Sequence, residues 1–452
     1  MTLVYSFIAL RRIVVAFVFW LYNEQMDNIL RNIKRLIPKS VFRALQPVYH
    51  YALSAIGAVR YGFPSRHITV IGVTGTKGKS TVTELIATIL RADGKKVASL
   101  STIQFTYGEK RERNMFKMTM PGRFFVHQFL RRAVNEGCNY AVMEMTSEGA
   151  KLYRHKFVEI NALVFTNLTP EHIESHGSFA NYKAAKLKLA QAVADSKKRP
   201  RILVANADDE HGADFLNFDV EEKITYSLTN LSLYTLHKDG FSMVFGDTTI
   251  RVPLVGLFNV YNALAAIKIT GAFGVTLETA GKALRNLAPI AGRVEHFESA
   301  RGAKKHVTAI VDYAHTVDSL EKLYQAFEGR PKVCVLGNTG GGRDTWKRPE
   351  MAALAEKYCD HVILTDEDPY DEPPRQIIAD MEKGITDKEK LTVIMNRKEA
   401  IRAAVSLAQD DGYVLISGKG TDPYIMRADG EKEPWSDAEV VKDILKELNE
   451  VA

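Results

Sequence analysis

Cysteine is scarce in this sequence of 452 residues, and the three cysteines, Cys138, Cys334 and Cys359, show no CxxC spacing. This pattern predicts neither a disulfide framework nor a zinc site, because both need cysteines or histidines at short, regular intervals. All three lie in apolar runs. We therefore expect buried, unpaired cysteines in a protein of a reducing cytoplasm.

The sequence also lacks a strong excess of charge of either sign. Lys and Arg number 60 against 54 Asp and Glu, a net charge of +6. So small an excess does not favour nucleic-acid binding, and a polyanionic small substrate fits it equally well. With 46% hydrophobic and 25% charged residues, the composition excludes a polytopic membrane protein and extensive disorder. The length suggests about three domains, without internal repeats.

No uninterrupted apolar run is long enough to span a membrane. The nearest candidate, Val4 to Tyr22, is broken by Arg11 and Arg12, and it lacks the small-residue cleavage site of a signal peptide. The next stretch, residues 28–61, carries basic residues at helix-like intervals among apolar ones, namely Arg31, Lys34, Arg35, Lys39 and Arg43. Three alternatives stay open for residues 4–61: peripheral contact with an anionic membrane surface, a span, or a helix packed on the following domain.

From His67 onward, short apolar strands alternate with amphipathic helices. This order predicts an α/β fold with a central P-loop ATPase-like domain on a mostly parallel sheet and a C-terminal Rossmann-like α/β domain. A short helical N-terminal segment precedes them, so we expect domains over 1–66, 67–293 and 294–452. Residues 223–255 alternate with a period of two, which predicts an antiparallel insertion. The other predicted strands span residues 67–73, 96–101, 140–145, 162–167, 201–206, 308–312, 332–336, 361–365, 392–395 and 413–417.

The strongest local motif is GVTGTKGKST, from Gly72 to Thr81, where a strand ends and a helix begins after a glycine turn. Backbone N–H groups at such a turn converge on phosphate oxygens, Lys79 can neutralise their charge, and the Ser80 hydroxyl can bind Mg²⁺. The alternative is an incidental glycine turn. The strand-to-helix context favours a nucleoside triphosphate site formed by Gly75, Thr76, Lys77, Gly78, Lys79, Ser80 and Thr81.

The variant TGTKGKST resembles the nucleotide loop of the Mur ligase family. TNLTPEHIESHGSFANYKAAK, GLFNVYNALAA, GRVEHFE, VDYAHTVDSL, LGNTGGGRDTWKRPEMA and SGKGTD follow in that family's order, and they are most similar to its tripeptide synthetases. The resemblance covers roughly residues 68–422. It implies an ATP-dependent ligase that adds an amino acid to a carboxylate of a cell-wall precursor peptide through an acyl phosphate.

The resemblance also implies roles for individual residues. Glu144 ends an apolar strand and is expected, with His172, to bind Mg²⁺; the alternatives are a polar strand terminus and a hydrogen-bonded loop histidine. Lys186 is expected to be carbamylated and to supply a further metal ligand, which requires a lowered pKa, although most helical lysines are solvated. Catalytic roles fall on Lys79, Lys186, Arg293 and His172.

ATP contacts beyond the phosphate loop are implied by the same resemblance. Asn259 and Asn262 would face adenine, the alternative being an N-cap and a surface amide. Arg293 would bind the transferred phosphate, and Asp312 and His315 would lie near the ribose and phosphates. For Asp312 the alternative is a buried strand-end helix cap.

The acceptor motifs depart from the family pattern. The family's D-N-P-R loop is Glu367-Asp368-Pro369-Tyr370 here, without the arginine for a distal carboxylate. This departure puts diaminopimelate in doubt and makes lysine or another amino acid a credible acceptor. G-K-G-H-E becomes GKGTD, where Asp422 can accept from a substrate ammonium. We expect substrate contacts from Thr119, Arg343, Asp344, Asp368, Tyr370, Lys419 and Asp422, with Lys347 and Arg348 also available for carboxylates.

The first 66 residues hold no strand-rich uridine-binding domain of the kind the family carries. The carboxyl donor is then held differently, is linked to a lipid, or lacks uridine. We expect a monomer that takes small-molecule substrates, a muramoyl-peptide-like donor and an amino acid, with ATP and Mg²⁺, and that binds no nucleic acid. It would be cytoplasmic, or at the inner membrane face. The alternatives are a related ligase for another peptide or polyglutamyl product, and a catalytically reduced ATP-binding partner protein.

Overall fold

Strands and helices alternate along the chain in a computed structural model that describes residues 39–171, 173–300, 303, 305–342 and 344–450. The strands are β1 Thr69–Thr74, β2 Val97–Leu100, β3 Gln104–Tyr107, β4 Lys110–Arg113, β5 Tyr140–Glu144, β6 Ala162–Phe165, β7 Ile202–Asn206, β8 Glu222–Tyr226, β9 Leu233–His237, β10 Gly240–Phe245, β11 Thr248–Val252, β12 Glu295–Glu298, β13 Val307–Val311, β14 Lys332–Leu336, β15 His361–Leu364, β16 Leu391–Val393, β17 Gly412–Ile416, β18 Tyr424–Met426 and β19 Lys432–Pro434.

The helices connect these strands and cover the sheets. They are α1 Lys39–Arg60, α2 Lys79–Ala92, α3 Arg123–Asn135, α4 Ser147–Lys151, α5 Ile173–His176, α6 Phe179–Ala194, α7 Gly212–Leu216, α8 Leu257–Ala272, α9 Leu277–Arg285, α10 Val317–Ala326, α11 Lys347–Tyr358, α12 Pro374–Glu382, α13 Arg397–Leu407 and α14 Asp437–Glu450. Across the described ranges we find no helix with the length and apolar character of a membrane span. Val4 to Tyr22 lies outside those ranges.

The larger sheet has eight strands in the order β4-β3-β2-β5-β1-β6-β7-β8. From β2 to β8 all neighbours are parallel, and β3 and β4 add an antiparallel hairpin at one edge. One face packs against α2, α8 and α9 and the other against α3 and α6. Because both faces are covered, the inner strands are nearly continuous apolar runs.

The second sheet has six strands in the order β12-β13-β17-β14-β15-β16, parallel except for the edge strand β12. Helices α10, α11 and α12 cover one face, and α13 and α14 the other. The predicted α/β fold class is therefore confirmed. In both sheets the carboxyl ends of parallel strands form one edge, which is where open α/β sheets bind ligands.

The predicted antiparallel insertion is partly wrong. Strands β9, β10 and β11 do form a small antiparallel sheet, but β8, whose residues begin the predicted stretch, pairs parallel with β7 in the large sheet. Its alternating pattern arises because β8 is an edge strand with one exposed face. Strands β4 and β12 were not predicted, since short polar edge strands bury too few apolar side chains to show a pattern. The buried strand β3, of four residues, was also not predicted.

All three cysteines are buried as expected, but the prediction that they are unpaired is wrong for two of them. The structure joins Cys334 and Cys359 in a disulfide, with Cα atoms 6.1 Å apart, whereas Cys138 is free and buried as expected. Cys334 lies in β14 and Cys359 follows α11, which returns the chain to the neighbouring strand β15. The fold therefore brings together two cysteines whose spacing in the sequence carries no signal.

His127, on α3, is fully buried, and burial lowers its pKa to about 4. The unfolded chain, with a histidine pKa of about 6.5, binds more protons than the folded chain between these two values, so stability falls as the pH drops through that window. We expect the wild type to lose about 3 kcal/mol more free energy of unfolding than His127→Gln between pH 7 and 4. Urea denaturation at several pH values measures this difference; parallel pH profiles would contradict it.

Candidate functional site

The phosphate loop, residues 74–80, joins the carboxyl end of β1 to α2. Gly75 and Gly78 have φ values of +147° and +83°, and a β-carbon on Gly78 would lie 2.4 Å from Asn262 Oδ1. Glycine is therefore required at both turns. The N–H groups of Thr76 and Lys77 donate to Asn167 over 2.8 and 2.9 Å. The donors left for phosphates are those of the first turn of α2, where Lys79, Ser80 and Thr81 lie.

Two lysine side chains bond to backbone carbonyls of this loop. Lys79 donates to the carbonyl of Thr76 over 2.8 Å and Lys186 to that of Gly75 over 2.6 Å. Desolvation lowers the pKa of Lys79. Burial, followed by the charge of Lys79, lowers the pKa of Lys186 well below its ordinary value. Lys186 is thus a buried amine rather than a solvated helical lysine, in accord with the chemistry expected of it.

The candidate magnesium ligands meet at the start of α2. The Ser80 hydroxyl donates to Glu144 Oε2 over 2.9 Å, and that oxygen also accepts from the N–H and hydroxyl of Thr102. A hydroxyl and a carboxylate are the hard oxygen ligands that Mg²⁺ prefers, so these residues fit the ion. His172 lies outside the described residues. Within the described part of the chain, no three His, Cys, Asp or Glu residues are grouped closely enough to hold a metal.

Residues beyond the large sheet reach the phosphate loop. Arg293 donates to the Ser80 hydroxyl over 3.1 Å, and its guanidinium stacks on Tyr313. His315 Nε2 lies 3.3 Å from Glu171, which also binds Lys77 at 3.0 Å. Desolvation lowers the pKa of His315, which favours the neutral imidazole. The structure thus brings Arg293 and His315 together with the phosphate loop.

Asp312 and the two asparagines are already engaged within the protein. Both carboxylate oxygens of Asp312 accept backbone N–H groups, from Val294 and Ala314, at 2.8 and 2.7 Å, and desolvation raises its pKa. Asn262 donates to Asn259, which donates to the Val255 carbonyl. Both asparagines are buried, so neither is a surface amide. Contacts of all three residues with ATP stay predictions.

The predicted acceptor residues Asp368, Lys419 and Asp422 form one buried cluster, which we call the acceptor pocket. Lys419 Nζ lies 2.9 Å from Asp368 Oδ1 and 3.7 Å from Asp422 Oδ2. Although burial opposes it, the charges of Lys419 and Lys117 lower the pKa of Asp368. Burial raises the pKa of Asp422. The expected charges are present, but they already pair with each other.

A residue that the sequence did not identify completes this cluster. Lys117 lies in the loop of residues 114–121 between β4 and α3. Its ammonium forms a short ion pair with Asp368, lies 3.2 Å from Asp422 Oδ2, and faces the ring of Tyr370 at 5.9 Å. Thr119, two residues later, shares a hydrogen bond of 2.7 Å with Thr102, which binds Glu144. One loop therefore contacts the acceptor pocket directly and the candidate metal ligand Glu144 through Thr102.

Asp344 and Arg348 make their contacts outside the acceptor pocket. The backbone N–H of Asp344 donates to Glu174 over 2.8 Å, and Arg343 is outside the described residues. The expectation that Arg348 is available for a substrate carboxylate is wrong. Its side chain is fully buried and holds Glu372 and Asp380 at 2.7 and 3.0 Å, because the loop before α12 and α12 itself bring the two carboxylates to it.

Lys117, Thr102, Glu171 and Tyr313 are site residues that motif analysis missed. Glu171 lies inside a quoted motif, beside His172, and could have been found there. Thr102 lies between β2 and β3, and Lys117 follows β4. Because β3 and β4 were not predicted, no pattern in the sequence placed these residues near the ligand-binding edge of either sheet.

Comparison with known proteins agrees with this geometry. Residues 73–270 match the model of the Mur ligase middle domain and residues 292–420 that of the Mur ligase glutamate ligase domain. A UDP-N-acetylmuramoyl-L-alanyl-D-glutamate--2,6-diaminopimelate ligase of Syntrophomonas wolfei is 35% identical over 410 residues, which cover 87% of this chain and 82% of the relative.

Solved structures give the same result. A ligase of that same name superposes with a TM-score of 0.58 at 27% identity, covering 87% of this chain and 82% of its own. Folylpolyglutamate synthase of Mycobacterium tuberculosis, solved with ADP, has a TM-score of 0.64 at 16% identity over 81% of this chain and 91% of its own, which shows a shared fold. The chain therefore belongs to the Mur ligase family, the ATP-dependent ligases of peptidoglycan precursor synthesis.

Proposed function

We propose that this protein joins the amine of an amino acid to a carboxylate of a muramoyl-peptide-like donor, with residues 67–293 binding ATP and Mg²⁺ and residues 294–452 binding the acceptor. The observation that carries the proposal is the contact of Arg293 with Ser80 over 3.1 Å. It brings a guanidinium from the junction of the two sheets to the helix turn that faces the phosphates.

In the first step a donor carboxylate oxygen bonds to the γ-phosphorus of ATP, and ADP leaves. Lys79 and Arg293 stabilise the charge that develops on the transferred phosphoryl oxygens. Magnesium, held by Ser80, Glu144 and His172, would neutralise further charge on the phosphates when bound.

In the second step the neutral acceptor amine bonds to the carbonyl carbon of the acyl phosphate, and inorganic phosphate leaves with the former carboxylate oxygen. The amine loses its proton and an amide forms. No protein nucleophile is needed. Closure of the second sheet over the first would exclude water, which otherwise hydrolyses the acyl phosphate.

Lys186 is proposed to act as a carbamate. A buried neutral amine can bond through nitrogen to the carbon of CO₂ and release a proton, which leaves a carbamate anion whose oxygens could bind metal. The lowered pKa of Lys186 and its place under Gly75 support this role.

Amine-dependent release of ADP and phosphate tests the proposed reaction. Purified protein would be given ATP, Mg²⁺, muramoyl dipeptide donors with and without the uridine nucleotide, and single amino acids, and the product identified by mass. The relatives are named for 2,6-diaminopimelate, whereas Tyr370 here carries no charge for a distal carboxylate. Binding of ATP without turnover for any pair would instead favour a nucleotide-binding partner protein.

We also propose that this cytoplasmic protein touches the inner membrane face through its N-terminal segment. Val48, Val59, Ile56 and Tyr49 are 66, 67, 40 and 48% exposed, and their positions span only about 100° of the helical circumference of α1. Arg60, at the end of α1, is exposed as well, and the sequence before residue 46 is rich in basic residues. We expect co-sedimentation with vesicles that contain phosphatidylglycerol, little with neutral vesicles, and a severalfold loss on Val59→Asp. Equal recovery with both vesicle types would contradict it.

A further inference from the structure

We propose that Lys117 is a specificity-determining residue whose ammonium occupies, in the free enzyme, the place of an acceptor ammonium between Asp368 and Asp422. The acceptor must displace this internal ammonium to bind. The inference rests on the proposed ligase function. It adds that Lys117, from the part of the chain proposed to bind ATP, competes with the acceptor ammonium for this place.

Charge balance in the acceptor pocket is the first argument. Asp368 and Asp422 are 3 and 5% exposed and Lys419 is fully buried. With Lys117 in place, two carboxylates face two ammonium groups. Lys419 already donates to both oxygens of Asp368 and to the Tyr424 carbonyl, and it stays 3.7 Å from Asp422. If Lys117 leaves, Lys419 alone faces both carboxylates, Asp368 at 2.9 Å and Asp422 at 3.7 Å, so one buried negative charge is uncompensated.

The remaining groups around the pocket do not replace that charge. Glu367 is buried beside Asp368, and burial raises its pKa. Tyr370 faces Lys117 with its ring at 5.9 Å and carries no positive charge. Tyr313, whose pKa the charge of Asp422 raises, is neutral. Once Lys117 has left, the position between Asp368 and Asp422 therefore favours a ligand that carries an ammonium group.

The geometry of the loop is the second argument. Lys117 has a φ of +51°, a strained conformation for a residue other than glycine. The Asn114 side chain fixes the turn by bonding to the carbonyls of Ser101 and Met118 and to the N–H of Phe116. Met115, Phe116 and Met118 remain 43 to 46% exposed around a lysine side chain that is 16% exposed. The turn thus directs only Lys117 into the pocket.

The substrate class follows from the reaction. The attacking α-amine must be neutral when it forms the amide, so it cannot supply the lasting positive charge. A second, side-chain ammonium can. The pocket therefore favours a diamino acid over an amino acid of the same length that ends in a methyl group.

Calorimetric titration of the full chain with L-lysine, in the presence of ADP and Mg²⁺, tests this competition without any turnover. Lys117→Met keeps most of the side-chain volume and removes the charge. We expect it to bind L-lysine at least about fivefold more tightly than the wild type, because no internal competitor has to be displaced. L-Norleucine, which lacks the terminal ammonium, should bind both proteins with similar affinity. Lys110→Met is the matched control. Lys110 lies on β4, just before the loop of Lys117, and its side chain is 60% exposed and pairs with Glu136.

Equal or weaker binding of L-lysine by Lys117→Met, an equal gain for L-norleucine, or no L-lysine binding by either protein would overturn the inference. If the variant does not fold, the wild type gives a second measurement. L-Lysine, but not L-norleucine, should increase the rate at which Lys117 is acetylated, as followed by mass spectrometry, and an unchanged rate would overturn the inference. Absence of ATP turnover with every acceptor would refute the ligase proposal alone, because both measurements report binding.

Discussion

Replacement of Lys79 by alanine should lower the rate of amine-dependent ADP release by about 10²- to 10³-fold, the usual effect of removing one preorganised donor from a transferring group. Lys79 begins α2 and lies against the Thr76 carbonyl, so its ammonium is fixed before ATP arrives. Desolvation strengthens its interaction with phosphate oxygens, because fewer water molecules screen the charge. Steady-state kinetics at saturating donor and acceptor give the ratio of rates.

Lys95→Ala is the control for Lys79→Ala. Lys95 follows the same helix, but its side chain is 40% exposed and pairs loosely with Asp93 at 3.7 Å. We expect this variant to keep the wild-type rate. A Lys79→Ala enzyme that turns over at the wild-type rate would remove the phosphate loop from the mechanism.

Lys186→Ala is expected to lower turnover by about a hundredfold, since a ligand and a fixed charge beside the phosphates are lost together. Two further results should distinguish a carbamate from an ordinary buried lysine. Wild-type enzyme kept free of CO₂ should lose activity and regain it with bicarbonate, and acetate should partly restore Lys186→Ala by supplying the missing carboxylate.

Lys188→Ala provides the comparison for Lys186→Ala, because Lys188 is two residues along α6 on its exposed side. Lys188→Ala should show the same dependence on bicarbonate as the wild type, and acetate should not raise its activity. Full activity of the wild type without CO₂ would show that Lys186 acts as an unmodified amine.

The sequence predicted the parallel sheets because buried strands are continuous apolar runs, and β14 begins and ends at the predicted residues. It predicted the phosphate loop because glycines at a strand-to-helix turn let backbone N–H groups converge on phosphate oxygens. Edge elements were missed or misassigned for the converse reason: β4 is wholly exposed and charged, and β8 alternates like an antiparallel strand.

The site residues that the sequence predicted lie near strand ends, whereas Lys117, which it did not predict, lies in a loop. Lys79, Ser80 and Glu144 lie within a few residues of strand ends, so strand prediction brought them together. Lys117 lies 251 residues from its partner Asp368, in a loop fixed by the Asn114 side chain. A contact of that kind depends on how two sheets dock, which local periodicity does not encode.

The position of Arg293 has a mechanical consequence. Arg293 lies in the segment between α9 and β12 that links the two sheets, and the preceding Gly292, with a φ of +59°, passes against the backbone of residues 420–421. When one half of a hinged body swings, points close to the axis travel least. If the second sheet moves about this segment to admit an amino acid, residues farther from it would travel more, while the Arg293 guanidinium would stay beside Ser80.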